Sequence, residues 1–253
     1  MTVENAQGFD VNDVHVHFGE CSIQKIKVDE EKLLGYLARD YLRHAVIFPL
    51  DIDYVRYNGQ LLDLLARTTK MFGLVRVQVG FPKDFLSRID SSVMEHVLGF
   101  KFHPSFDRIP VTNRDLSFFF KWLEENRKIA LIHCGRWKRV ASFRFAFKIA
   151  ERHPELVVVM AHMGGNEYDN GMQAIEAAEN CMNVYLETSN CRIPKLIETA
   201  SDKLKDRVLY GSDFPWGSPL GNVYSVLDAE ISSSAKRGIL FDNFEKLLRR
   251  IKS

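Results

Sequence analysis

Short apolar runs alternate with amphipathic stretches along the whole chain. The runs read as strands over residues 10–18, 44–50, 72–79, 98–103, 128–133, 156–162, 183–188 and 207–213. Between them apolar residues recur at helical spacing over 30–43, 60–70, 116–126, 140–152, 172–178 and 195–200. A weak, short helical unit falls at 82–94, and a closing helix at 242–252. Local signals agree: Thr112-Asn113-Arg114-Asp115 has the form of a capping box ahead of Leu116, and Pro194 suits the first turn of a helix beginning near Ile193. The stretch from Leu156 to Met160 is apolar on both faces, as parallel strands covered by helices are. Eight strand-then-helix units predict an α/β chain closed into a single (β/α)8 TIM barrel, one domain over residues 1–253. A doubly wound open sheet competes, but no GxGxxG follows the first strand and no glycine-rich phosphate loop is present.

Composition excludes more than it identifies. With 34 basic against 33 acidic residues, a net charge of +1 gives no reason to expect nucleic acid or a membrane surface as partner. No apolar run approaches the roughly 18–20 residues that span a bilayer. Residues 1–9 have neither the charged nor the apolar region of a signal peptide. Cys21, Cys134, Cys181 and Cys191 show no CxxC spacing, so reduced thiols in a cytoplasmic protein are the simple expectation.

Candidate chemistry gathers at the strand ends. In Asp13-Val14-His15-Val16-His17-Phe18-Gly19, alternation along a strand puts His15 and His17 on one face, with alpha carbons roughly 6.5 Å apart. Two imidazoles so placed can share an ion at about 2.0–2.1 Å, while Val14 and Val16 fill the other face. Asp13 would share the histidine face but lie deeper. Of the eight histidines, His15 and His17 end the first predicted strand, His103 the fourth, His133 the fifth and His162 the sixth; Asp213 ends the eighth. In a barrel those ends form one rim, where active sites of this fold are built. Against this stand duller roles: His133 as a hydrogen-bonded plug, Asp213 as a turn cap, His103 as a strand terminator before Pro104. His44, His96 and His153 fall at strand starts or in helical and turn segments, and read as packing or surface residues.

Five motifs carry a resemblance: Asp13 to Gly19, Gly99-Phe100-Lys101-Phe102-His103-Pro104, Ile132-His133-Cys134-Gly135, Ala161-His162-Met163-Gly164-Gly165 and Tyr210 to Pro215. In that order the chain resembles the amidohydrolase superfamily, in the amidohydrolase-related (amidohydrolase 2) branch that includes aminocarboxymuconate semialdehyde decarboxylase. The resemblance implies one divalent metal, zinc being favoured, on His15, His17, His133 and Asp213, with His162 and Asp213 as catalytic groups. A bridging carbamate on Lys101, as in binuclear relatives, is disfavoured because this branch usually works with one metal. The glycine pair after His162 would let backbone approach a ligand closely. Homodimers are common in the family, so a homodimer is left open.

Substrate clues are the arginines and tryptophans near the rim. If Val75, Val77 and Val79 face the helices, Arg76 points into the barrel, to bind a substrate carboxylate or to pair with Glu187 or Asp51. Arg136, Trp216 and His103 are further candidate substrate contacts. The expected activity is metal-dependent hydrolysis of a small carboxylate-bearing amide, ester or lactone. A non-oxidative decarboxylase of an aromatic or muconate-type acid is the alternative on the same ligands, and a metal-free or non-catalytic small-molecule-binding barrel the alternative of another class. A nuclease-like phosphoesterase would want carboxylates at the ends of strands three and four, where Arg76, Gln78, Lys101 and His103 stand instead.

Overall fold

The structure, a computed structural model, describes residues 9–21, 24–49, 54–135 and 138–252. All eight predicted strands are present, as β1 (Val11–Cys21), β3 (Leu42–Pro49), β4 (Met71–Arg76), β5 (Val97–Phe102), β6 (Ile129–Ile132), β7 (Val157–Met160), β8 (Val184–Glu187) and β9 (Val208–Leu209). A ninth, β2 (Ile26–Val28), folds back antiparallel on Gly19 to Cys21 and makes the sheet order β2-β1-β3-β4-β5-β6-β7-β8-β9. Three residues, one of them charged, give β2 no periodicity to read. Every other pairing is parallel, so the strand C-termini share one end of the curled sheet.

The expected closed ring is met in part. No continuous ladder joins β9 to β1; the edges meet through backbone bonds of the segment after β9. Val14 N donates to Tyr210 O at 3.0 Å, Asp213 N to His15 O at 2.9 Å and His17 N to Phe214 O at 2.8 Å, with an isolated bridge between Val16 and Phe214. These bonds set Asp213 beside the histidines of β1.

Two apolar layers hold the sheet. Inside it, Val14, Val46, Phe48, Leu74, Leu131 and Val159 form a core plugged from the N-terminal end by Phe244, Leu247 and Leu248 of the closing helix Asn243–Lys252. Outside, Val16, Val75, Val77 and Val158 pack against the helices. The helices follow the predicted pattern with shifted ends. The first is Glu30–Leu37, not 30–43, because the chain enters β3 at Leu42; the second is Tyr54–Leu65. Pro194 opens Pro194–Leu204 as expected, and the Asn113 side chain accepts from Asp115 N at 2.9 Å.

β1 does not alternate as expected. Its register against β3 shifts between Asp13 and Val16, so Val14 lies in the inner core and Val16 in the outer one. The extra residue is a bulge, which re-aims the side chains beyond it. His15 and His17 both reach the inner Phe48 ring, at 5.0 and 4.7 Å between centroids. Asp13 is turned away from them: its Oδ1 accepts from His15 N at 3.1 Å and Ser212 N at 2.9 Å, and its Oδ2 from Tyr36 Oη.

Candidate metal centre

At the C-terminal end of the sheet, three ligand-type atoms form a triangle. His15 Nε2 lies 3.1 Å from His17 Nε2 and 3.2 Å from Asp213 Oδ1, which is 3.0 Å from His17 Nε2. Ligands held about 2.0–2.1 Å from one ion stand roughly 2.8–3.4 Å apart in octahedral or tetrahedral arrangements. The triangle fits a divalent cation, and a hydrogen-bond chain does not produce three such mutual contacts. His162 belongs to the same cluster: His15, His162 and Asp213 each offer a ligand atom within 4.8 Å of the others. His133 hangs on His162 instead, its Nδ1 3.0 Å from His162 Nε2. Its Nε2 is buried and has no hydrogen-bond partner among the described residues. His133, expected as a ligand, thus stands one step out, and His162 one step in.

Unusual backbone aims these groups. His162, Met163, Asn190 and Asp213 take positive φ of 57°, 51°, 54° and 57°, a conformation that costs a non-glycine residue about 1 kcal/mol or more. Gly164 and Gly165 do not leave room for a ligand as expected. A Cβ on Gly164 would stand 2.3 Å from the Cβ of Ala174, and one on Gly165 3.3 Å from Gly135 Cα. The pair packs the end of β7 against protein.

Burial and charge oppose each other across the cluster. Burial weakens the charged form of His15, yet the carboxylates of Glu187 and Asp213 raise its pKa above the ordinary 6.5. Burial alone would raise Asp213, but His15 and the hydrogen bonds around it hold its carboxyl well below the usual range. His17 is pushed down to about 3 by burial, which outweighs the pull of Asp213. With the His15 proton displaced, neutral imidazoles beside an ionised carboxylate make the donor set a divalent ion requires.

Three residues that sequence reasoning left without a role, Ser189, Asn190 and Asp107, and Glu187, which it offered as a partner for Arg76, bear on the site. Glu187 Oε1 lies 2.9 Å from His15 Nδ1, and Ser189 Oγ 2.6 Å from His162 Nδ1. Asn190 Nδ2 donates to Asp213 Oδ2, leaving Oδ1 to the histidines. Asp107 takes Arg76, which is ion-paired with it and not with Glu187; Asp51 lies outside the described residues. The one available signal was a carboxylate ending the apolar strand 183–188.

A cleft of about 300 Å³ opens above the cluster, lined by His17, His103, Phe106, His133, Cys134, His162, Asn190, Asp213 and Trp216 together with Gln24, Ser105 and Asn166. His103 stacks on His133 at 4.0 Å between centroids, and its Nδ1 accepts from Phe106 N at 3.3 Å. Trp216 stands edge-on to His17 at 4.7 Å. Of the expected substrate contacts, then, His103 and Trp216 line the cleft and Arg76 does not, while Arg136 lies outside the described residues. Lys101 lies beneath, over the Phe48 ring at 4.6 Å, its Nζ without a hydrogen-bond partner among the described residues. Burial brings its pKa down to about 7.

The family model described as Amidohydrolase matches residues 13–250. Among solved structures, one of a TIM-barrel protein from Bordetella bronchiseptica shares 15% identity, with a TM-score of 0.74, covering 97% of this chain and 100% of that one. A provisionally named 2-pyrone-4,6-dicarboxylic acid hydrolase from Pseudomonas putida shares 14%, with a TM-score of 0.75 and coverage of 96% and 98%. A 5-carboxyvanillate decarboxylase from Novosphingobium aromaticivorans, complexed with manganese and 4-hydroxy-3-methoxy-5-nitrobenzoic acid, shares 14%, with a TM-score of 0.76 and coverage of 96% and 97%. At such identities the likeness is one of fold. No individual curated protein matches the chain in sequence. Among the described residues, no helix is long and apolar enough to cross a membrane.

Proposed function

The chain belongs to the amidohydrolase family, and from that premise we propose that it is a metal-dependent hydrolase of a small carboxylate-bearing amide, ester or lactone. The triangle of His15, His17 and Asp213, with edges of 3.0–3.2 Å, carries this reading. These three residues would hold one divalent ion, zinc by preference. The His133–His162 pair supplies the next nitrogen, either from His162 as it stands or from the unpartnered Nε2 of His133. Lys101, alone over a phenyl ring, has no second ligand cluster around it among the described residues and is not assigned a carbamate. The whole chain is read as one barrel domain.

A bound ion would supply Lewis acidity, polarising the substrate carbonyl and acidifying water in the cleft. Asp213 Oδ1 would accept the proton of the attacking water as its oxygen bonds to the carbonyl carbon. Asn190 keeps that carboxylate turned toward the histidines. The proton then returns through the His133–His162 pair to the leaving nitrogen or oxygen as its bond to carbon breaks. Arg76 is ion-paired with Asp107 and does not line the cleft, so it is not assigned a substrate contact.

Decarboxylation of an aromatic acid is the second reading, favoured by the ring-rich cleft walls of Phe106, His103 and Trp216. A screen of lactones, amides, esters and aromatic acids with zinc- and manganese-loaded protein separates the two. Hydrolysis products that vanish on chelation are expected. Release of CO2 from an aromatic acid, with every ester and amide untouched, would replace the first reading by the second.

A further inference from the structure

Glu187 is buried at the end of β8, and its carboxylate meets four donors. His15 Nδ1 and the His162 amide stand at 2.9 Å each, the Ser189 hydroxyl at 2.7 Å and the Ser189 amide at 2.6 Å. An ionised carboxylate can only accept. Asp213 Oδ1, 3.2 Å from His15 Nε2, is an acceptor too, so a His15 ring without an ion can give a proton to each carboxylate; once a cation occupies the Nε2 side, the one proton left sits on Nδ1. The Ser189 hydroxyl has one proton, which goes to Glu187; toward His162 Nδ1, 2.6 Å away, its oxygen must accept. His162 then carries its proton on Nδ1, and its Nε2 is an acceptor. The atom 3.0 Å from that nitrogen is His133 Nδ1, which must be the donor. The chain ends at His133 Nε2, a buried nitrogen without a partner among the described residues, in a ring that lines the cleft.

We propose that Glu187 is a positioning residue that fixes the proton placement of three imidazoles, His15 directly and His162 and His133 through Ser189, so that His15 Nε2 and His133 Nε2 are presented as lone pairs. Which ring nitrogen keeps its proton is set by the hydrogen bond the other nitrogen makes. Here one carboxylate decides it for both arms of the site. For His15 the placement rests on the metal-centre reading, since the ion must displace the Nε2 proton; for His162 and His133 it needs no ion.

Nitrogen NMR of the full chain with isotope-labelled histidine reads the placement directly, zinc-loaded for His15 and chelator-treated at alkaline pH for His162 and His133. His15, His162 and His133 are expected to carry their protons on Nδ1. Ser189→Ala leaves His162 Nδ1 only the backbone carbonyl of residue 189 at 3.3 Å and should shift His162 and His133 toward mixed forms while His15 stays as it was. Glu187→Leu, which removes the acceptor, should release all three and weaken zinc binding about 10–100-fold in a chelator competition. Protonation of any of the three on Nε2 under those conditions in the unsubstituted chain overturns the proposal, as does a Ser189→Ala chain in which His133 is unchanged. Should Glu187→Leu fail to fold, the unsubstituted chain and Ser189→Ala still decide. A chain that binds no zinc yet carries Nδ1 protons on His162 and His133 keeps that arm of the proposal and removes the metal reading instead.

Discussion

Asn183 and Arg207, at the N-terminal end of the sheet, are as deeply buried as His15 and Asp213 at the other end, but they answer different partners. Asn183 Nδ2 donates to the carbonyls of Ala150, His153 and Leu156 at 3.1, 2.9 and 2.9 Å. Arg207 Nη1 holds those of Ala178, Cys181 and Val184 at 2.7, 2.9 and 2.9 Å. Both satisfy backbone groups left over where helices end and strands begin, a debt every fold carries. At the opposite end, titratable groups meet one another, with His15, His17 and Asp213 within 3.2 Å, whereas positive φ and an unpartnered nitrogen among the described residues occur at both ends, as at Arg127, Lys205 and His96. Folding alone does not call for such an arrangement, which is the mark of a site kept for chemistry.

The sharpest way to break this contrast is to remove one residue from each end. His15→Ala should lower turnover by more than about 100-fold, the loss typical of disturbing a mere outer partner, and should strip the bound ion. Stability should fall as well, because the buried carboxylates of Glu187 and Asp213 lose a partner, so turnover and metal content are the readouts that separate the two ends. Arg207→Met should move stability alone. Three buried carbonyls lose their donor, at a cost of about 2–4 kcal/mol in denaturant unfolding, with metal content per folded chain unchanged. If both variants lost stability alike and metal content stayed constant, the two ends would be equivalent and the cluster merely structural.

A smaller effect separates the two carboxylates that hold the site from behind. Burial lifts Asp13 from 3.8 to about 6, against hydrogen bonds from Ser212 and Tyr36. The folded chain therefore binds this proton more tightly than the unfolded one between about pH 4 and 6, and stability falls as pH rises through that window, by on the order of 2–3 kcal/mol. Glu187 runs the other way. Burial would raise it, but His15 leads the interactions that bring it from 4.5 down to about 2. Its contribution is complete above about pH 4.5 and is lost as pH falls toward 2. Asp13→Asn should abolish the decline between about pH 4 and 6 in urea titrations and leave the acid limb intact. A decline that persists in the variant would assign it to another group.

The strand ends and the residue types at them could be read from the chain because both depend on local pattern: a two-sided apolar run such as Val157–Met160, then His162. What could not be read depends on register or distant contact. The bulge that turns Asp13 away from His15 appears only once β1 is laid against β3. Arg76 finds Asp107 in the short helix Pro104–Asp107, which no periodicity announces in four residues. Asn190 reaches Asp213 across a crossover of 23 residues, and an isolated asparagine after a strand looks like any turn. Glu187 was visible as a carboxylate at a strand tip, but its partner among several candidates followed from the curl of the sheet.

The smallest test concerns the cleft wall itself. Trp216 lines the cleft beside His17, yet its indole Nε1 is buried without a hydrogen-bond partner among the described residues. An orphaned donor costs about 1–3 kcal/mol, so Trp216→Phe, which keeps a ring edge against His17, should leave stability unchanged or raise it by about 1 kcal/mol. If the tryptophan is only a wall, KM should move less than about fivefold and kcat not at all, since a factor of five is under 1 kcal/mol. If the N–H turns to the substrate in the transition state, kcat/KM should fall by about tenfold or more, the loss expected of one good hydrogen bond. The second outcome would place Trp216 with the groups that answer chemistry, and the first with the packing that Asn183 and Arg207 serve at the other end.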